Sequence, residues 1–116
     1  MCLAESIDWA QTRQTFGQPL IRHQVIRHKI ADMSARIDAV DAYLNQICWS
    51  VNSGDMPIEE ICKAKFFATK ALEFCASEAM QVLGAAGYLR GHPVERIHRE
   101  VKVMAIAVAL RRSCLI

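Results

Sequence analysis

The clearest pattern in the sequence is an apolar stripe that begins at Ile26 and recurs at alternating intervals of four and three residues. Its members are Ile26, Ile30, Met33, Ile37, Val40, Leu44, Ile47 and Val51. This spacing places them on one face of an α-helix of about seven turns. Charged residues such as Arg27, Asp32 and Arg36 lie between them and predict a solvent-facing side. The stripe itself is expected to be core.

A second long helix is predicted to end near Leu83. Asp55 is a candidate N-cap, Pro57 suits the first turn, and Gly84 is expected to stop the helix. Its apolar positions are mostly small: Ile61, Ala64, Ala68, Leu72, Cys75, Ala79 and Val82. Because small residues let helix axes approach closely, we expect this helix at the centre of a bundle.

Two shorter helices, over about 3–12 and 96–110, flank this pair. No stretch alternates with the period of a strand over a useful length, so no sheet is predicted. The expected fold is therefore all-α: an antiparallel up-down four-helix bundle that forms a single domain over residues 1–116.

Composition narrows the class of protein. Hydrophobic residues make up 53% of the 116 residues, which argues against disorder, and a net charge of +2 does not favour nucleic acid or an anionic membrane as partner. No apolar run reaches the ~18 residues of a membrane span, and the first six residues lack the basic region of a signal peptide. We expect a cytoplasmic protein.

Cysteine and histidine usage gives no sign of a disulfide framework or a metal site. The five cysteines, an odd number without a C-x-x-C pair, are Cys2, Cys48, Cys62, Cys75 and Cys114. Buried free thiols in a reducing compartment are the simpler interpretation. His23 and His28 are five residues apart, so they do not share a helix face, and no metal is predicted.

Three segments are harder to explain by packing. The turn over 13–24 combines an Arg, a Thr, a Phe and a Gln, a mixture that could hold a pyrophosphate. Residues 81–88 contain two glycines that would let a ligand reach backbone. Residues 94–102 carry dense charge after a proline, which ordinary helix-start electrostatics would also explain. The basic stretch 22–29 is either a solvated turn or a phosphate-docking surface.

Taken in order, these segments resemble the C-terminal helical domain of acyl-CoA dehydrogenases over residues 1 to about 106. The matching stretches are R-x-T-F-G-x-P-L…H-Q from Arg13, A-D-M from Ala31, A-K-F-F-A from Ala64, M-Q-V-L-G-A-A-G-Y from Met80 and V-E-R-I-H-R-E-V-K-V-M-A-I from Val94. The combination of the glycine-rich and the arginine-rich stretch is specific.

The resemblance implies a flavoprotein that oxidises an acyl-CoA thioester between its α and β carbons. It implies that this domain supports the FAD of a neighbouring subunit, within a homodimer or homotetramer. By resemblance, the residues at that cofactor are Arg13, Thr15, Phe16, His23, Gln24, Gln81, Gly84 and Gly87. The first three would contact the diphosphate and adenine end.

The resemblance fails at the catalytic base, because the family's glutamate position falls on Val108 and residues 107–116 form an atypical tail. The family's N-terminal helical and middle β domains are also not represented. We therefore expect no catalytic residue in this chain and no dehydrogenase activity by itself. The alternative is a non-enzymatic assembly module derived from such a domain.

Overall fold

The computed structural model describes residues 1–110, with side chains described over 1–107. It confirms the predicted all-α bundle. In chain order the elements are α1 (Cys2–Thr12), β1 (Gln14–Thr15), β2 (Gln18–Pro19), a 3₁₀ turn (Leu20–Arg22), α2 (Gln24–Asn52), α3 (Ile58–Leu83), α4 (Ala85–Tyr88) and α5 (Pro93–Leu110). The molecule is elongated, with extents of 56 × 26 × 20 Å.

Helix α3 lies at the centre, as its small apolar residues predict, and contacts α1, α2 and α5. The face that it buries consists of Ala64, Ala71, Cys75, Ala76, Ala79, Val82 and Leu83. Short side chains at these positions allow close approach of neighbouring helix axes. Larger side chains come from the surrounding helices, among which Met33, Val94 and Val101 are the bulkiest fully buried apolar ones.

Two contacts fix the direction of α2 against α3. Lys29 forms an ion pair with Glu78, and the Cys75 thiol lies 3.8 Å from the Met33 carbonyl oxygen. Advancing along α2 from Lys29 to Met33 therefore means moving back along α3 from Glu78 to Cys75. The helices are antiparallel, and the start of α2 lies level with the end of α3.

The apolar stripe of α2 is buried only in part, so the expectation that all of it is core is wrong. Ile26, Met33 and Ile47 are buried, whereas Ile37, Leu44 and Val51 are exposed. Ile37 and Leu44 border an open apolar groove together with Cys2 and Leu3 of α1, whereas Ile47, further along α2, is buried again.

Three local predictions need correction. Residues 14–19 form a two-stranded antiparallel hairpin, although no sheet was expected, because two-residue strands are too short to show alternation. Asp55 does not cap α3; Pro57 occupies the N-cap position without a side-chain hydrogen bond. Helix α5 begins at Pro93 rather than near Arg96, since proline tolerates the first turn.

The cysteine interpretation is correct for only two positions. Cys2 and Cys75 are buried free thiols, Cys62 is half-buried, Cys48 is exposed, and Cys114 lies outside the described residues. Burial raises the pKa of the Cys75 thiol, and Cys2 raises it further, so this thiol stays protonated and packs as a small apolar group. Within residues 1–110, no helix combines the length and hydropathy needed to span a membrane.

Met33→Ala tests which part of the stripe holds the bundle together. Met33 is 0% exposed, and a truncation that leaves a core cavity costs ~2–5 kcal/mol of unfolding free energy. Ile37→Ala is the matched control, because Ile37 belongs to the same stripe but is 41% exposed; it should cost about 1 kcal/mol or less. Chemical denaturation measures both. Equal losses would contradict the assigned packing.

Candidate functional site

The connection between α1 and α2 is a tight hairpin in which Gln14 pairs with Pro19 and Thr15 with Gln18. Its two central residues both have positive φ, 52° at Phe16 and 77° at Gly17. This combination is typical of a type I′ turn, whose twist matches that of paired strands. Glycine suits it, but a bulky phenylalanine in the left-handed region is strained. The turn geometry therefore comes at a conformational cost.

The side chain of Phe16 is 97% exposed, so core packing does not repay this strain. Its main described contact is an edge-on approach to the His23 ring, with centroids 6.2 Å apart and planes at 77°. Strained residues persist where the surrounding structure holds them, and they cluster at ligand sites. An aromatic ring presented to solvent in this way is available to stack on a planar ligand.

His23 holds the hairpin in place. Its Nε2 lies 2.9 Å from Thr15 Oγ1, with donor and acceptor set by the tautomer. Its backbone carbonyl accepts the N–H of Arg27 at 3.2 Å and so begins α2. The base of the hairpin is closed by the Leu20 N–H, which donates to the Arg13 carbonyl at 2.7 Å. Thr15, Phe16 and His23 thus form one contiguous group.

Arg13 and Gln24 flank this group with exposed side chains. Neither side chain forms a hydrogen bond or ion pair within the described part of the chain. A guanidinium without a carboxylate partner keeps all its donors for an outside anion, and its fork matches phosphate oxygens. Within four consecutive residues, 13–16, the hairpin therefore exposes a cation and a planar ring and holds a fixed hydroxyl.

The second predicted segment lies between α3 and α5. Gln81 is exposed on the last turn of α3, and Gly84 ends that helix with φ of 60°, as predicted. Gly87 is buried: a Cβ there would lie 2.9 Å from the Leu83 Cβ. Gly87 thus allows α4 to pack closely on the end of α3. The side chain of Gln81, by contrast, is exposed and accessible to a ligand.

Antiparallel packing brings the two segments to the same end of the bundle. The hairpin leads directly into the start of α2, and the Lys29–Glu78 pair sets that start level with the end of α3. Gln81, Gly84 and Gly87 therefore lie at the end that carries the hairpin. The predicted antiparallel topology implied this proximity, since its first and third connections emerge at the same end, and the Lys29–Glu78 pair establishes it for segments about sixty residues apart.

The charges of residues 94–102 are largely explained by ion pairs. Arg99 Nε lies 3.1 Å from Glu95 Oε1, and Arg96 Nε lies 3.8 Å from Glu100 Oε1. Lys102 reaches across to Glu73 of α3, and this hydrogen bond is the main reason that the pKa of Glu73 falls below its ordinary value. This segment mainly fixes α5 on α3. Among the described residues, no three His, Cys, Asp or Glu side chains gather as a metal site.

Sequence reasoning missed the contact between His23 and Thr15. A threonine and a histidine on either side of a Phe-Gly turn, eight residues apart, would have been the signal, since a two-residue turn followed by one helical turn brings such positions together. Val108, where the resemblance places the family's glutamate, lies in α5, but its side chain is outside the described residues.

Comparisons with known proteins identify the family and the fold of the chain. Residues 1–108 match the family "Acyl-CoA dehydrogenase, C-terminal domain". An acyl-CoA dehydrogenase of Bacillus subtilis is 36% identical over 104 residues, covering 90% of this chain and 27% of the relative. Butyryl-CoA dehydrogenase of Megasphaera elsdenii superimposes with a TM-score of 0.87 at 29% identity, covering 92% of this chain and 28% of that structure.

The acyl-CoA dehydrogenase AFT10-1 of Alternaria alternata is also 36% identical, with 91% of this chain and 27% of the relative covered. The chain belongs to the acyl-CoA dehydrogenase family and corresponds to the C-terminal helical domain of its members. It spans little more than a quarter of the length of the relatives that it matches.

Phe16→Asn separates the strain of the turn from its aromatic function. Asparagine tolerates the left-handed region, so this variant should unfold at a higher free energy than Phe16→Ala by about 1 kcal/mol, although both lose the contact with His23. Thermal or urea unfolding of the pair measures the difference. If the two variants are equally stable, the positive φ at residue 16 is not a source of strain.

Proposed function

We propose that this chain is the FAD-supporting and oligomerisation domain of a flavin-dependent acyl-CoA dehydrogenase that acts in the cytoplasm. The observation that carries the proposal is the hairpin at residues 13–19, which holds an exposed phenylalanine in a strained turn beside an unpaired arginine. A bundle that needed only stability would not keep this combination. Family membership supplies the cofactor and the substrate class.

The described residues fit the adenosine diphosphate half of FAD. The unpaired guanidinium of Arg13 would bind the diphosphate, and the hydroxyl of Thr15, fixed by His23, adds a further polar group. The exposed ring of Phe16 would stack on the adenine. Gln24 and Gln81 supply amides at the same end of the bundle, with Gly84 keeping the backbone accessible. When bound, FAD accepts the hydride during oxidation of the acyl-CoA.

Assembly is the second part of the proposal. At the opposite end of the bundle, the turn between α2 and α3 exposes Trp49, Val51, Met56, Ile58 and Ile61. Contiguous apolar surface of this kind marks association sites. We propose that the chain forms homodimers or homotetramers in which its hairpin end supports the FAD of another subunit. In a closed symmetric assembly, every copy buries the same surface and contacts its neighbour in the same way.

We do not assign catalysis to this chain. The family's glutamate position is Val108, and a hydrocarbon side chain cannot take the α proton of an acyl-CoA. We therefore expect no turnover from the 116-residue chain alone, and acyl-CoA to bind only in the company of the remaining domains that its relatives contain. An activity assay on this chain would not distinguish a cofactor domain from a pure assembly module.

Stabilisation of the folded chain by FAD distinguishes a cofactor domain from a pure assembly module. FAD at about 100 times its Kd should raise the unfolding free energy by about 2.7 kcal/mol, seen as a higher melting temperature. Arg13→Ala and Gln81→Ala should each abolish most of that gain because they remove the diphosphate and amide contacts. Arg96→Ala, an exposed arginine on α5, is the matched control and should keep it.

Sedimentation of the same variants provides the second measurement, and all of them should assemble like the parent chain. If FAD stabilises none of the proteins while assembly persists, the cofactor role fails and the non-enzymatic assembly module is the better description. Equal stabilisation of the parent chain and Arg13→Ala would mean that FAD binds elsewhere.

A further inference from the structure

A cleft of about 310 Å³ with a mixed polar and apolar lining lies where α4 and the first turns of α5 meet α3. It is lined by Met80, Tyr88, Arg90, Glu95, His98 and Arg99. Its volume is at the lower end of the range for small-molecule sites. None of its residues is among those assigned to the cofactor, so the cleft has no role so far.

Local backbone geometry builds the cleft. Gly87 lets α4 pack on the end of α3, which sets Tyr88 at the rim. Gly91, with φ of 97°, turns the chain into α5 directly after Arg90. On α5, positions 95, 98 and 99 share one helical face because they are three and four residues apart.

His98 is the most unusual member. Its Nδ1 atom is buried and has no hydrogen-bond partner within the described part of the chain. Leaving a buried polar atom unsatisfied costs free energy, and such atoms in native structures call for a partner. Because Nδ1 is fully covered, a group in the cleft meets the other atoms of the His98 ring.

Two further donors of the cleft are also unengaged. The side chains of Arg90 and Tyr88 form no hydrogen bond or ion pair within the described part of the chain. Arg99 uses its Nε for Glu95, at 3.1 Å, and keeps its two terminal amino groups. The Glu95 carboxylate, 16% exposed, is neutralised by this pair. The two arginines and the one glutamate of the lining together carry a formal charge of +1.

We propose that this cleft binds a phosphate group. Two guanidinium groups, a phenol and an imidazole ring line it from α4, the following loop and α5, and cationic donors from several directions suit the oxygens of a doubly charged tetrahedral anion. The phosphate comes either as the free ion or on a small organic molecule, for which the Tyr88 ring and Met80 supply an apolar wall. The cleft includes neither Arg13 nor Gln81, so variants of these residues test the two proposals separately.

The test is an NMR titration of the full 116-residue chain, following the ring resonances of its four histidines, each assigned by a His→Gln variant. Inorganic phosphate, phenyl phosphate and acetate are added separately at constant ionic strength. Phosphate should shift His98 saturably, and acetate should bind there at least about tenfold more weakly. If phenyl phosphate binds more tightly than inorganic phosphate, the ligand is a phosphate on an organic molecule. If the two bind equally, the ligand is the free ion.

Arg90→Gln is the decisive variant, because an exposed and unpaired arginine can be replaced without loss of a structural contact. It should weaken phosphate binding by about tenfold or more. Arg96→Gln, of equal charge but outside the cleft, should not, and Arg13→Ala should leave the His98 titration unchanged even if it abolishes FAD binding. Circular dichroism confirms that each variant is folded.

Three results would overturn the proposal: no saturable shift at His98, equal affinity for acetate and phosphate, or equal effects of Arg90→Gln and Arg96→Gln. The first would mean that the cleft binds no anion. The second would mean a site without preference for phosphate. The third would mean that the shift at His98 reports only a general attraction between the positively charged protein and the anion.

Discussion

Helix α3 touches α1, α2 and α5 at once because the face that it buries is built chiefly from alanine and cysteine. Larger residues there would push at least one neighbour away, and the bundle would lose its shared core. The bulky groups come instead from the outer helices, as Met33 and Val101 do. Everything else depends on this division of sizes, because it fixes how each outer helix is aligned along α3.

That alignment gathers the candidate site. Because α2 runs antiparallel to α3, the connection before α2 and the connection after α3 emerge at the same end. One connection carries the strained Phe16 turn and the other the glycines that close α3. The bundle therefore acts as a rigid spacer that holds two irregular segments together, which is how folded scaffolds commonly present binding residues. The opposite end carries the exposed apolar residues for which we propose assembly.

The site itself combines strain with satisfied hydrogen bonds. His23 fixes Thr15 through a hydrogen bond, and the side chain of Phe16 at the tip of the closed hairpin is exposed to solvent. Because these side chains are already ordered, less conformational entropy is lost when a ligand binds. The phosphate cleft beside Tyr88 shows the opposite condition, with a buried histidine nitrogen that lacks a partner in the described structure. Membership of the acyl-CoA dehydrogenase family gives context to the first site and does not explain the second.

The amino-acid pattern by itself predicted the four longer helices and the central place of α3, but not the short α4, because periodicity and side-chain size act locally and leave a direct trace only in longer elements. It also indicated the residues of the hairpin and the glycine-rich segment. It did not reveal the two-residue strands, the real N-cap of α3, or which residues of the α2 stripe are covered. Only the tertiary structure decided that Thr15 and His23 form a hydrogen bond, and that Arg90, His98 and Arg99 line one cleft. Such proximity arises from turn geometry and packing between helices, which hydrophobic periodicity does not encode.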